Sequence, residues 1–240
     1  MTLATAAAVL NGTLSGADTT FTGVSTDTRT LARGDLFVAL TGPNFDGHAF
    51  LDIAANSGAA GAVVARADRA PLPIVQVADT RLALGQLAAH WRRQFRIPVV
   101  AVTGSNGKTT VKNMIAAILG ERGPTLATRG NLNNDIGVPL TLTRMRASDR
   151  YAVIEMGMNH FGEIEYLSRL TRPTVALITN AGEAHLAGVG SLEGVARAKG
   201  EIFTGLRTAG TAVLNADDPF FPYWKTLVAT RKHLSFGLEA

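Results

Sequence analysis

The sequence contains no cysteine. Disulfides, cysteine-ligated zinc and thiol catalysis are therefore excluded, and the absence fits a cytoplasmic protein. Aromatic residues make up only 6% and charged residues only 18%. A nucleic-acid-binding surface would require a basic stripe interleaved with aromatics. The net charge of +4 comes instead from scattered arginines. Their densest group, Arg92, Arg93 and Arg96, ends an apparent helix, where cations complement the helix dipole. No apolar run approaches the length of a membrane span. The Ala- and Leu-rich start, residues 1–16, lacks the basic residues of a signal peptide, and Asn11-Gly12 interrupts it. It reads as a short amphipathic helix ended by that pair.

What is present is core material: 46% hydrophobic residues in 240, enough for one large domain or two ordinary ones, with 25 glycines to serve tight β–α turns. Residues 1–80 contain short β-like runs at 35–40, 62–65 and 74–77 around one helical run at 48–57. Residues 81–96 read as a connecting helix, with Leu82, Leu84, Leu87, Ala88 and Trp91 at helical spacing and Pro98 as its stop. From residue 97 strands and helices alternate: strands at 99–102, 151–155, 175–179, 211–214 and 233–236, helices at 108–122, 162–170, 192–206 and 220–229. The predicted fold class is α/β. A small mixed α/β N-terminal domain (1–80) and the connecting helix precede a P-loop-type parallel sheet with helices on both faces (97–240), incomplete at its C-terminus. Ligands of such sheets bind beyond the carboxyl ends of the strands, and the polar motifs of this chain fall there.

The strongest motif is Val99-Val-Ala-Val-Thr-Gly-Ser-Asn-Gly-Lys-Thr-Thr110. A buried strand runs into a Gly-rich turn, and a helix starts at Lys108. Backbone N–H groups of the turn and of the helix N-terminus make a cradle for phosphate oxygens. Gly104 and Gly107 remove the Cβ atoms that would block it. Lys108 can reach the β- and γ-phosphates and Thr109 can ligate Mg²⁺. The loop is the short Thr-Gly-x-x-Gly-Lys-Thr form, with Val102 where the general pattern has glycine.

This loop is similar to that of the Mur ligases and their relative folylpolyglutamate synthase. Ser25-Thr-Asp-Thr-Arg29, followed by Gly34-Asp-Leu-Phe-Val-Ala-Leu40 and Asp46-Gly-His48, resembles the UDP-binding first domain shared by the MurE and MurF branches. Gly130-Asn-Leu-Asn-Asn-Asp-Ile-Gly-Val-Pro139 resembles the MurF branch, where MurE members typically carry Thr-Thr-Pro. Glu155-Met-Gly-Met-Asn159, Ala184-His-Leu186 and residues 190–202 point the same way. The resemblance implies a peptidoglycan-synthesis ligase that joins D-alanyl-D-alanine to UDP-N-acetylmuramoyl-tripeptide. In that reaction ATP activates a carboxylate as an acyl phosphate, which an amine attacks. It implies that Gly104, Ser105, Asn106, Gly107, Lys108, Thr109 and Thr110 hold ATP and that Asn215 meets the adenine. Thr109 and Glu155 would ligate one Mg²⁺ and His185 a second. Lys199 would carry a CO₂-derived carbamate beside the second ion. Lys108, Lys199 and His185 form the implied catalytic set. The precursor falls to Ser25, Thr26, Asp27, Thr28, Arg29, Asn133 and Asn134, with Asp46 and His48 near the uridine.

The residues alone leave alternatives open. Glu155 ends an apolar run, where an unpaired carboxylate is costly, so a metal explains it better than a chance surface glutamate, with a salt bridge to an arginine as the alternative. His185 reads as an ordinary loop histidine. Lys199, in a helix with Glu193, Arg197 and Glu201, reads as part of a solvated face. Asn215-Ala-Asp-Asp218 and residues 25–29 can be plain turns. A MurE-type ligase and a non-catalytic precursor-binding module remain as rival functions. A general nucleotide switch is disfavoured because residues 25–48 resemble a dedicated substrate domain. The family has three domains, the last completing the ATP site and receiving the dipeptide. The chain stops at Ala240 within the second, so the sequence predicts that it does not form the amide bond by itself.

Overall fold

The computed structural model describes residues 1–66, 70–183 and 186–238, and the chain divides into two compact units, Met1–Arg93 and Gln94–Ala240. In the first unit, α1 (Leu3–Leu10) opens on Thr2, whose hydroxyl accepts from the Thr5 N–H, and closes on Asn11 in the left-handed conformation at φ 50°. That is the stop the Asn-Gly pair predicts. Strands β1 (Thr13–Ser15), β2 (Gly23–Ser25) and β3 (Asp35–Val38) follow. A two-residue hairpin, β4 (Thr41–Gly42) and β5 (Phe45–Asp46), leads into a 3₁₀ turn, Gly47–Phe50, and α2 (Leu51–Asn56). With β6 (Gly61–Val64) and β7 (Ile74–Gln76) the main sheet has the order β1-β7-β6-β3-β2, parallel except for β1 against β7. Phe37, Ala62, Val64, Leu51 and Ala54 build its core. Helix α3 (Thr80–Arg93) belongs to this unit, and its Thr80 hydroxyl donates to the Ala39 carbonyl at 2.9 Å. Leu84, Leu87 and Ala88 are buried as their spacing predicts, whereas Leu82 is exposed.

The second unit contains β8 (Val99–Thr103), α4 (Lys108–Gly120), β9 (Thr125–Ala127), α5 (Gly137–Thr143), β10 (Tyr151–Glu155), α6 (Glu163–Thr171), β11 (Val175–Ile178), α7 (Leu186–Val189), α8 (Leu192–Gly200), β12 (Thr211–Asn215), α9 (Phe221–Leu227) and β13 (Lys232–Phe236). The sheet is parallel throughout, in the order β13-β12-β11-β8-β10-β9. After β8 the chain moves outward to β9, and after β10 it crosses back past β8 to β11. With right-handed crossovers, α4 covers one face and α5, α6, α8 and α9 the other. This reversal makes the carboxyl end of β8 a topological switch point, where such sheets bind ligands. Trp224 of α9 is fully buried, and its indole N–H donates to the Ala196 carbonyl of α8 at 2.9 Å. None of the described helices is long and apolar enough to cross a membrane.

Candidate active site

The phosphate loop sits at that switch point. Gly104 has φ +147° and Gly107 φ +75°, both in the region that favours glycine. A Cβ on Gly104 would collide with the Thr179 hydroxyl. The segment after β11 braces the loop. Ser105 N–H donates to the Asn180 carbonyl at 3.0 Å, Asn106 N–H to Asn180 Oδ1 at 2.9 Å, and the Thr179 hydroxyl to the Asn106 carbonyl at 2.7 Å. The Ser105 hydroxyl donates to the Gly182 carbonyl at 3.1 Å and accepts from the Gly182 N–H at 2.8 Å. No side chain caps α4, so the N–H groups of its first turn, from Lys108 to the exposed Thr110, are left for an anion. The Lys108 ammonium lies on the loop, donating to the Gly104 carbonyl at 2.7 Å and the Ser105 carbonyl at 3.0 Å. Burial lowers its pKa, and the Glu155 charge opposes that shift.

Glu155, at the carboxyl end of β10, is 1% exposed and central to a polar cluster. Its Oε2 accepts from the Thr109 hydroxyl at 2.9 Å and its Oε1 from the Asn133 amide at 2.8 Å. The Lys112 ammonium is 3.8 Å from Oε2 and donates to the Thr128 carbonyl at 2.9 Å. The Thr128 hydroxyl accepts from the Glu155 N–H at 3.0 Å. Burial with a charged partner holds for Glu155, and the partner is a lysine where an arginine was the alternative to metal. Sequence reasoning missed Lys112 and Thr128. One turn beyond Lys108 on the same helix is the only signal that could have marked Lys112.

Lys199 is 0% exposed, and among the described residues its ammonium nitrogen has no hydrogen-bond partner. The solvated face suggested by its charged neighbours is thus incorrect: α8 buries Val195, Ala196, Ala198 and Lys199 together. Burial first, and the Lys108 charge second, push the Lys199 pKa down to about 7. A buried amine whose pKa is lowered toward neutrality fits a carbamate-forming lysine better than a fixed cation. Among the described residues no three His, Asp or Glu side chains converge as a metal cage. One carboxylate and one hydroxyl do fit Mg²⁺, which keeps several waters and takes substrate phosphates as ligands. His185 lies outside the described residues.

Other predicted residues have their polar atoms engaged internally. Asn134 Oδ1 accepts from the Gly137 N–H at 2.9 Å at the start of α5. Asn215 Nδ2 donates to the Thr179 carbonyl at 2.9 Å and its Oδ1 accepts from the Asp217 N–H at 3.0 Å. In the first unit, His48 Nδ1 is 2.6 Å from Asp46 Oδ1, and its Nε2 accepts from the Ala65 N–H at 2.9 Å. The hydrogen bond to His48 lowers the Asp46 pKa. The Ser25 hydroxyl donates to the Asp27 carbonyl at 3.0 Å. Asp27 grips the exposed Arg29 guanidinium at 2.6 and 2.9 Å, which lowers the carboxyl pKa to about 2. Thr26, Asp27, Thr28 and Arg29 line a cavity of about 470 Å³ with Phe45 and Phe50, two exposed rings that sequence reasoning passed over.

Residues 102–240 match the Mur ligase middle domain and residues 20–92 the Mur ligase family catalytic domain. A UDP-N-acetylmuramoyl-tripeptide–D-alanyl-D-alanine ligase from Escherichia coli is 52% identical over 240 residues, covering 100% of this chain and 53% of that protein. The crystal structure of MurF from Acinetobacter baumannii superposes with a TM-score of 0.92 at 40% identity, over 98% of this chain and 53% of that one. MurF ligase from Thermotoga maritima, solved in complex with ADP, gives a TM-score of 0.82 at 32% identity, over 91% and 51%. The chain therefore spans about half the length of the relatives it matches. With the phosphate loop, the Glu155 cluster and the middle-domain match in one unit, the chain belongs to the Mur ligase family.

Proposed function

We propose that the chain serves ATP-dependent ligation of D-alanyl-D-alanine to UDP-N-acetylmuramoyl-tripeptide, with ATP held by the second unit and the uridine end of the precursor by the first. The observation that carries this reading is one cluster at the carboxyl ends of β8 and β10. It holds a glycine loop with an uncapped helix N-terminus and a Thr109–Glu155 pair, and the buried Lys199 of α8 feels the charge of Lys108. The substrates are those named for the similar ligases. The loop and Lys108 bind and orient the phosphates as the γ-phosphoryl group passes to the precursor carboxylate. Positioning and charge neutralisation are what that transfer needs. Thr109 and Glu155 would hold Mg²⁺, which when bound offsets charge on the phosphoryl oxygens. Asn133 and Lys112 keep the Glu155 carboxylate aimed at the loop. The neutral form of the Lys199 amine would add to the carbon of CO₂, a C–N bond forming as one C=O π pair moves to oxygen and the proton passing to solvent, to leave a carbamate. His185 and Asn215 are assigned to the second ion and the adenine on family resemblance. In the first unit the Arg29 side and the Phe45 and Phe50 rings suit a diphosphate and a flat base.

Calorimetric titration with UDP-N-acetylmuramoyl-tripeptide tests the substrate assignment. Binding that UDP competes away, and that Arg29→Ala and Phe45→Ala each weaken, supports it. No binding, or unchanged binding in both variants, overturns it. For the carbamate, ¹³C-bicarbonate should give a carbamate resonance in the parent chain and none in Lys199→Met.

A further inference from the structure

Three arginines of the second unit line one cavity beside the Glu155 cluster, with which it shares Thr128. It has a volume of about 640 Å³, runs along β9 and is lined by Thr125, Ala127, Arg129, Arg144, Arg146 and Asp149 among others. That volume lies in the range of small-molecule sites. The wall carries three cations and one carboxylate, and the carboxylate is committed: Asp149 Oδ2 accepts from the Arg146 N–H at 2.8 Å, closing the turn into β10. The Arg146 guanidinium is committed too, donating to the Thr143 carbonyl at 3.2 Å and the Met145 carbonyl at 3.1 Å. Among the described residues, no ion pair or side-chain hydrogen bond engages Arg129 or Arg144. Arg129 is exposed, but Arg144, directly after α5, is half-buried. Burial, then the Arg129 and Arg146 charges, lower the Arg144 pKa, and only Asp149 acts against them. A solvated surface arginine would swing clear of its neighbours. Here a guanidinium is held in a half-buried place beside two like charges, an arrangement that an anion would relieve.

The backbone adds donors. β9 is the edge strand and, among the described residues, pairs only with β10. Thr128 N–H donates to the Val153 carbonyl, so the strand's alternation turns the Thr125 and Ala127 N–H groups to the open edge. Guanidinium forks and backbone N–H groups together form the donor set that oxyanions select. We propose that this cavity is an oxyanion-binding site, separate from the phosphate loop, that takes a phosphoryl or carboxylate group between Arg129 and Arg144.

The test is a titration of the full chain, ¹⁵N-labelled at arginine, followed on the side-chain Nε–H resonances. These resonances belong to residues of the cavity and not of the phosphate loop. Inorganic phosphate and glutarate are the two probes. Saturable shifts of the Arg129 and Arg144 resonances are expected with at least one probe, and whichever saturates identifies the source as phosphoryl or carboxylate. Arg144→Gln should weaken the response of Arg129 by about tenfold or more. Without anion it should leave the melting temperature unchanged or raise it, because repulsion is removed. Arg129→Gln, at an exposed position, should weaken the response of Arg144 in the same way without loss of fold. Linear, non-saturating shifts with both probes overturn the proposal. So does a lowered melting temperature of Arg144→Gln with unchanged affinity in Arg129→Gln, which would make Arg144 structural.

Discussion

Replacing Lys112 by methionine keeps much of the side-chain volume and removes the charge that faces Glu155. Both residues are almost completely buried, at 2% and 1% exposure, with 3.8 Å between the ammonium and Oε2. At an effective dielectric of about 20, charges about 4 Å apart attract by about 4 kcal/mol. Breaking a buried pair by removing one partner costs about 3–5 kcal/mol, because the other charge stays buried without compensation. Glu155 keeps its bonds from Thr109 and Asn133, which moderates the loss, while the Thr128 carbonyl loses its donor. Lys112→Met is therefore expected to destabilise the second unit by about 3 kcal/mol. The Glu155→Gln change should couple to it by about 2 kcal/mol or more in a double-mutant cycle. The chain has two tryptophans, Trp91 in the first unit and the buried Trp224 in the second. In a Trp91→Phe background, urea unfolding followed by fluorescence reports the second unit alone. Costs that add to within about 0.5 kcal/mol would mean that the two groups do not interact, and the electrostatic account of the cluster would fail.

At Gly104 an alanine meets both an unfavourable φ and the Thr179 hydroxyl, so Gly104→Ala should lose about 1–3 kcal/mol and nucleotide binding together. Gly120→Ala, whose Cβ would meet open space at the end of α4, should instead gain about 0.5–1 kcal/mol by the same urea measurement. Lys199, with its pKa down at about 7 against an ordinary 10.5, gives a pH signature. Between those values the unfolded chain holds a proton that the folded chain has released, so stability rises with pH across that window. The slope reaches up to about 1.4 kcal/mol per pH unit. In CO₂-free buffer Lys199→Met should remove that rise, and an unchanged slope would show that Lys199 is not the group responsible.

The strands β8, β10, β11 and β12 were legible because each is a short apolar run ending at a polar motif. The strand over Tyr151–Glu155 has the bounds its sequence predicts, and the neighbouring strands differ by a residue. β9 and α5 were not legible. Thr125-Leu-Ala127 is too short to show a period, and α5 contains Gly137, Pro139 and two threonines, with its start set by the Asn134 side chain. In the first unit the two- and three-residue strands are made by pairing, not by local propensity. Helix 192–206 ends at Gly200 and continues as a 3₁₀ turn, Glu201–Phe203. In the site, the phosphate loop is local in sequence and could be read from it. The Glu155 cluster is not, since Thr109 and Lys112 come from α4, Thr128 from just past the end of β9 and Asn133 from the loop before α5. Lys199 shows the limit most clearly: its neighbours are charged, and only tertiary packing reveals that its own side chain points into the unit.

The claim that this second unit is a nucleotide site is tested most directly by calorimetry of the chain with ADP, with and without Mg²⁺, in parent and Lys108→Ala forms. The account predicts saturable binding to the parent that Mg²⁺ tightens, and a loss of about tenfold to a hundredfold on removing the lysine. Equal affinity in the two forms, or no binding to the parent at all, would contradict it.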